Sequence, residues 1–220
     1  MTATRLALKQ PQAKPPVELR ARLSVRDLGL ATSGGFAWGC FNASLVAIIA
    51  FGPGLLIARG VSLGDAGFTV SLAIWLTMVS VPLGGLLTDR LGRPNFLIVA
   101  GSLVAALVTM LLPSIEHSLL AFCLVGLAIG APPGALMALL PKAVASERLA
   151  TALGVYYTTY YIVMAVVQLA AGGVRDLFGK PTAPIVLAAV VMAATIVGFV
   201  IFRLVERNGA ARRLTVGRPR

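Results

Sequence analysis

The sequence predicts an all-α membrane protein in which six transmembrane helices form one bundle. The chain of 220 residues has a mean hydropathy of +0.89 and only 12% charged residues, about half of the charged fraction of a soluble domain. The remaining charges are clustered between apolar runs, and each run is long enough for the roughly 20 residues that cross a bilayer core. The charge-free runs span residues 28–58, 66–88, 94–115, 118–141, 149–174 and 181–202.

Each apolar run predicts one membrane helix, and the charges between the runs mark the connections. A transmembrane domain over residues 28–203 is therefore expected between two basic tails, at residues 1–27 and 204–220. Because the connections are short, consecutive helices are expected to lie antiparallel and adjacent. The predicted helices span about residues 30–57, 66–88, 95–113, 118–140, 150–173 and 183–203.

Glycine and proline predict irregularities in two of these helices. Pro53 lies between two glycines in the first helix, where it removes a backbone donor and favours a kink. The fourth helix has glycines at four-residue spacing, which permits another helix to approach closely. Its Pro132-Pro133 pair predicts a bend. The glycines of the fourth helix are Gly126, Gly130 and Gly134.

The basic residues predict the orientation of the bundle. If both termini lie on one side, that side carries 16 of the 19 Lys and Arg residues, and the other carries only Arg59, Arg175 and Lys180. The positive-inside rule then places both termini in the cytoplasm. The expected location is the plasma membrane or bacterial inner membrane, as a multi-pass protein. This distribution argues against a nucleic-acid partner, despite the net charge of +11, and favours contact of the tails with the lipid bilayer.

The sequence offers no set of residues for catalysis. Cys40 and Cys123 both fall inside predicted spans, and His117 is the single histidine, in a short loop. No nucleophile–base pair or metal-ligand set is present, so we expect neither an enzyme nor a metal or cofactor. The loop at residues 84–94 also lacks the Gly-Lys-Ser/Thr ending of a phosphate-binding loop.

That loop, a cluster of glycines and charges between the second and third helices, is the most informative stretch of the chain. Asp89 ends a segment that carries no charge after Asp65. A carboxylate near the C-terminus of a helix is disfavoured by the helix dipole. Asp89 therefore needs cationic neighbours or the N-terminus of another helix.

The same pattern recurs later in the chain. Each copy follows a Gly-Gly pair, and the two aspartates are separated by an interval that holds three helices. An odd number of crossings places the second copy on the opposite side of the membrane, as expected of an inverted three-helix repeat in a secondary transporter. The two copies read Asp89-x-x-Gly92-Arg93-Pro94 and Asp176-x-x-Gly179-Lys180-Pro181.

Residues 85–93 resemble the loop signature of the major facilitator superfamily, Gly-x-x-x-Asp-Arg/Lys-x-Gly-Arg-Arg/Lys. Pro94 stands where the family usually has a final basic residue. Residues 173–179 resemble the family's pattern at the outer end of the fifth helix of a six-helix unit, and residues 141–154 resemble the preceding inner loop. The resemblance covers nearly everything from residue 28 to 203. The matching signature residues are Gly85, Asp89, Arg90, Gly92 and Arg93.

The resemblance implies that the chain is one six-helix half of a twelve-helix plan. The basic lead-in, the tyrosine-rich fifth helix and Phe202-Arg203 favour the carboxy-terminal half, and are more similar to organic-anion and cyanate-type members than to sugar porters. The implied function is transport of a small solute by alternating access, with a second six-helix half or a homodimer partner. A non-transporting membrane fragment or an interaction module is the alternative.

The resemblance also implies roles for the loop. Asp89 would couple two helices across the interface between halves, and Gly85 and Gly92 would permit close backbone approach. The two loop arginines, Arg90 and Arg93, would join a cytoplasmic charge cluster. That cluster contains Glu147 and Arg148. Ordinary loop charges that only fix the topology are the alternative.

Candidate solute contacts are all neutral, because no ionisable residue lies well inside a predicted helix. Two candidates share a face of the first helix and three form one stripe of the fifth. Tyrosine hydroxyls and amides can orient a small polar or anionic solute between apolar ring walls, although tyrosines also sit at membrane interfaces or pack within bundles. The substrate-lining candidates are Trp38, Asn42, Trp75, Tyr157, Tyr161 and Gln168.

Overall fold

A computed structural model describes residues 22–216, and these residues form helices and short connections without a strand. Six helical spans are long and apolar enough to cross a membrane, which confirms the predicted all-α fold. The fourth span, Ser118–Ala143, consists of three helical segments. The helices are α1 (Val25–Ala58), α2 (Leu63–Leu91), α3 (Pro94–Leu111), α4 (Ser118–Ala128), α5 (Pro132–Met137), α6 (Leu139–Ala143), α7 (Ser146–Phe178) and α8 (Ala183–Val216).

Three helices extend beyond the bounds that the sequence predicts. Helix α1 begins at Val25, because Ser24 forms a capping box with Asp27, in which each side chain bonds the other residue's backbone N–H. Helix α7 continues to Phe178, and α8 continues to Val216 into the stretch predicted as a tail. Most of the predicted N-terminal tail, residues 1–21, and the last four residues of the C-terminal tail lie outside the described residues.

The two spans for which glycine and proline predict irregularities differ in the structure. Helix α1 is continuous through Pro53, whereas the fourth span is interrupted between Ala128 and Pro132, as its proline pair predicts. Pro132 is the first residue of α5, where a missing backbone N–H costs nothing. The interruption therefore divides the fourth span into two parts of similar length, Ser118–Ala128 and Pro132–Ala143.

The most extensive packing joins helices that are far apart in sequence. Helix α1 packs mainly on α7 and α8, the fourth span packs on α2 and α3, and α3 packs on α8. Consecutive helices contact one another less, which differs from the expectation drawn from their short connections. Exchanging the first three spans with the last three maps the packings of α1 onto those of the fourth span and leaves the α3–α8 packing unchanged. The fold is therefore built from two interlocked three-helix repeats.

Small residues allow the repeats to interlock. A Cβ on Gly39 of α1 would lie 2.8 Å from the Cβ of Val163 in α7, and one on Gly130 would lie 2.5 Å from the Cβ of Ser80 in α2. One helical turn earlier, Gly35 makes a similar close contact between α1 and α7, and Gly126 makes one between the fourth span and α2. Each repeat thus presents a Gly-x-x-x-Gly surface to the second helix of the other repeat, and the two backbones approach closely.

Candidate functional site

The two Asp-x-x-Gly loops are the same local structure. Helix α2 ends at Gly92, which has a φ of 59° and donates its N–H to the Thr88 carbonyl at 3.0 Å. Helix α7 ends at Gly179, with a φ of 60° and a 2.9 Å bond to the Arg175 carbonyl. Glycine occupies this left-handed helix end because a side chain there is strained.

A cavity of about 280 Å³ opens beside Asp89. It lies where α2, α3, α5, α6 and α8 converge, and Asp89 itself is exposed. A Cβ on Gly134 would lie 3.7 Å from the Cα of Gly85, so these two helices narrow one side of the cavity. Lys142 and Arg203 line the same cavity as Asp89, and Arg203 bonds to Glu206 and Asn95.

The loop arginines face outward. Arg90 and Arg93 are exposed and border a shallow hollow with Phe96. Neither forms an ion pair within the part of the chain that the structure describes. Arg93 directly precedes Pro94, the first residue of α3, so the signature ends where the next helix begins.

The charge cluster at this end of the bundle has a different centre from the one expected. Arg148 pairs with Asp27 at 2.8 Å, and Arg26 lies 3.7 Å from the same carboxylate. Asp27 is 1% exposed. Glu147 is exposed and accepts a hydrogen bond from the Ser146 hydroxyl at 3.1 Å. The cluster therefore fastens the start of α1 to the start of α7.

An equivalent contact occurs at the opposite end of the bundle. Arg59, between α1 and α2, donates to the carbonyls of Leu112, Pro113 and Ile115, and it lies 3.5 Å from the Ser118 hydroxyl. These acceptors surround the start of the fourth span. Arg148 and Arg59, which we call the inter-repeat arginines, each join the start of the second helix of one repeat to the start of the first helix of the other.

Sequence reasoning missed Asp27, which it assigned to a solvated tail. The available signal was Ser24-x-x-Asp27 directly before an apolar run, the pattern of a capped helix start. A cap predicts that α1 begins earlier, although burial of the carboxylate depends on Arg148 as well.

Five of the six substrate-lining candidates lie on the adjoining helices α1 and α7. Trp38 stacks on Tyr160 with ring centroids 6.5 Å apart. Tyr160 also contacts the rings of Tyr157 and Tyr161, at 6.2 and 4.8 Å. Tyr160 is thus the centre of the aromatic group, although the stripe pattern omitted it.

The two amide candidates bond to the backbone of α1. Asn42 donates from Nδ2 to the Trp38 carbonyl at 3.0 Å, and Gln168 donates from Nε2 to the Ala43 carbonyl at 2.9 Å. Trp75, in contrast, lies on α2 and is 70% exposed. Helix α2 is not among the helices that pack extensively on α7, so Trp75 is separate from the α1–α7 group.

The fold and the loop define a class: a six-span helical membrane protein made of two inverted three-helix repeats, with a signature loop between the second and third helices. Comparison with protein families matches residues 28–218 to the Major Facilitator Superfamily. The chain therefore belongs to that superfamily of membrane transporters, and the resemblance seen in the sequence is confirmed. No curated protein and no solved structure matches the chain.

Proposed function

We propose that the chain works as one six-helix half of an alternating-access transporter for a small solute, and that a second six-helix unit covers its α2–α7 side. The observation that supports this proposal is that the six spans are buried to different extents. In the most apolar window of each span, 11% of the residues are buried in α7 and 22% in α2, against 44–56% in the other four. The second helix of each repeat is therefore the one left uncovered.

The uncovered face of α7 differs in chemistry from the outer faces of α3 and α8. The latter expose aliphatic side chains such as Leu107 and Val197, which suits contact with lipid. Helix α7 exposes aliphatic side chains too, such as Leu169, but it adds Tyr157, Thr158 and Tyr161. The two tyrosine hydroxyls form no hydrogen bond with the described residues, and an unpaired hydroxyl in hydrocarbon is costly. A second protein unit or a hydrated solute path satisfies them.

The loop at Asp89 fits a coupling role between two such units. The cavity beside Asp89 is open at the end of α2, and Gly85 and Gly92 place no side chain in its approach. A helix end of the second unit that enters this cavity would bring backbone N–H groups to the carboxylate. Arg90 and Arg93 would then flank the contact, with Glu147 nearby on the same end.

The orientation in this proposal follows the distribution of basic residues. The end that carries Asp89, Lys142 and Arg148 faces the cytoplasm together with both termini, in the plasma membrane or bacterial inner membrane. The opposite end carries Arg59 and Arg175. The chain corresponds to the carboxy-terminal half of the family plan, and the second unit is another copy or a separate six-helix half.

Cross-linking in native membranes tests the uncovered face. In a background without Cys40 and Cys123, Thr158→Cys is treated with a short bis-maleimide. We expect a product with the mass of two six-helix units, because Thr158 faces the second unit. Val197→Cys, on the aliphatic face of α8 and 56% exposed, is the matched control. Equal cross-linking at both positions, or none at Thr158, would contradict the proposal.

Transport itself is tested in proteoliposomes. The cross-link-competent protein is supplied with a defined mixture of small metabolites, and the lumen is analysed by mass spectrometry over time. We expect at least one solute to accumulate faster than in liposomes without protein. Cross-linking without accumulation of any solute would favour the interaction module over the transporter.

A further inference from the structure

Helices α1 and α7 together form a surface that we call the α1–α7 face. Its amide and threonine side chains donate hydrogen bonds to backbone carbonyls of the same two helices. The amide nitrogens of Asn42 and Gln168 each donate to a backbone carbonyl. A carbonyl oxygen only accepts, so this chemistry fixes which end of each amide faces the backbone. Each amide keeps its oxygen as an acceptor for a ligand, Oδ1 of Asn42 and Oε1 of Gln168, together with its second N–H.

The threonine hydroxyls of helix α7 also donate to backbone carbonyls. Thr158 donates to the Gly154 carbonyl at 2.8 Å, and Thr159 donates to the Val155 carbonyl at 3.0 Å. Their hydrogens are thus engaged within α7, and only lone pairs remain. The tyrosine hydroxyls, which both donate and accept, are the exception.

Aromatic rings form the rest of this face. Trp38, Tyr157, Tyr160 and Tyr161 make a continuous group, joined by the ring contacts at 4.8–6.5 Å. Tyr157 is 41% exposed and Tyr161 is 66% exposed, so rings are accessible at its edge. The π-face of an aromatic ring carries negative charge and attracts cations, above all quaternary and substituted ammonium groups.

No basic residue is available to hold an anion here. Residues 28–58 of α1 and 149–174 of α7 contain no charged side chain. Arg175 lies beyond the last of these residues and contacts the ring of Phe51, in a later turn of α1. Because these ranges carry no fixed charge of either sign, the exposed ring faces decide the preference, and they favour a cation over an anion.

We infer that the solute recognised by the α1–α7 face is an organic cation with an ammonium group, and not an organic anion. The rings of Trp38, Tyr160 and Tyr161 supply the cation–π surface, and the amide oxygens of Asn42 and Gln168 accept N–H donors. This inference rests on the proposed transporter function and assigns the substrate class of its site.

Direct binding tests the inference in the purified chain in lipid nanodiscs, by scintillation proximity with radiolabelled tetraethylammonium or radiolabelled benzoate. We expect saturable binding of tetraethylammonium only. Tyr161→Leu removes one exposed ring and should weaken binding about fivefold. Tyr161→Phe keeps the ring and should bind within twofold of the parent. Leu169→Ala, at an exposed apolar position of the same helix, is the control for folding and should also leave binding unchanged.

The outcomes separate the substrate class from the transporter function. Saturable benzoate binding without tetraethylammonium binding overturns the cation assignment, while solute accumulation in proteoliposomes would still support transport. Absence of binding by both ligands overturns the α1–α7 site. Equal binding by Tyr161→Leu and the parent also overturns it, because the exposed ring then contributes nothing.

Discussion

The two three-helix repeats share their backbone contacts and differ in the side chains of their second helices. Each repeat places a Gly-x-x-x-Gly surface against the other and ends its second helix at a left-handed glycine. Helix α2 exposes mainly apolar residues, including Trp75 and Leu83. Helix α7 contains all four tyrosines of the chain. The duplicated features hold the bundle together, whereas the candidate solute contacts occur in one copy.

The first helices of the repeats differ as well. Helix α1 is unbroken through Pro53, and its counterpart is interrupted before Pro132. The interruption adjoins the cavity at Asp89, since Gly134 of α5 lines it. The repeat with the broken helix thus forms the candidate coupling site together with α2, and the unbroken helix forms the candidate solute site together with α7.

The glycine contacts should be the most sensitive part of the shared scaffold. Gly130→Val places a branched side chain into the backbone of α2 at Ser80, and such overpacking costs about 3 kcal/mol or more in a rigid contact. We expect loss of the monodisperse peak in size-exclusion chromatography in detergent. The control variant is Gly172→Ala, at a glycine with open space around it, which should elute as the parent does. Normal elution of Gly130→Val would show that the helices can move apart at this contact without loss of the fold.

The inter-repeat arginines, Arg148 and Arg59, should contribute differently to the free energy of unfolding. Arg148→Met leaves the buried Asp27 carboxylate with only the more distant Arg26 and should lower the free energy of unfolding by about 3 kcal/mol. Arg59→Met leaves neutral carbonyls at a partly hydrated turn and should cost about 1 kcal/mol. Denaturation in mixed micelles measures both values. The double variant Asp27→Asn/Arg148→Met should recover part of the loss, and equal costs for both arginines would contradict the charge-based explanation.

The two equivalent aspartates should differ in function. Asp89→Asn removes the charge beside the cavity and should slow solute accumulation in proteoliposomes about tenfold, which corresponds to roughly 1.4 kcal/mol in activation free energy. Asp176→Asn changes the matching residue on the other end of the bundle and should leave the rate within twofold. Unchanged transport by Asp89→Asn would argue strongly that the loop charge only fixes topology.

The smallest expected effects are at the two helix ends. Gly92→Ala and Gly179→Ala each force a side chain into a left-handed conformation, which costs about 1 kcal/mol. Because both glycines have open space around them, the two losses should agree within a few tenths of a kcal/mol in the same denaturation experiment. A clearly larger loss at Gly92 would mean that this end also carries a packing contact.

Hydropathy and charge spacing were sufficient to predict the six spans, because burial in lipid is a local property of a 20-residue run. The signature loop was identified from the resemblance of residues 85–93 to the family motif. The packing partners were not predictable in this way. The glycine spacing in the fourth span indicated a close approach, but not that α2 is the helix approached. That choice depends on the whole arrangement of the two repeats.

The residues of the candidate site also divide into those that the sequence could predict and those that it could not. Tyr157 and Tyr161 were identified from their common stripe on one helix. Tyr160 was not, because its stacking on Trp38 depends on the rotation of α7 that Gly39 and Val163 set. The burial of Asp27 similarly depends on Arg148, which lies on another helix far along the chain.

The packing of α1 also has a consequence for biosynthesis. Helix α1 leaves the ribosome before the other described spans, whereas α7 and α8, on which it mainly packs, follow all the rest of them. At about 10 residues per second, Arg148 is made roughly ten seconds after Asp27. During that interval α1 lies in the membrane with its glycine surface uncovered, and Asp27 is stabilised only by its local cap and the adjacent Arg26. The N-terminal repeat therefore completes its fold only after the C-terminal repeat is inserted.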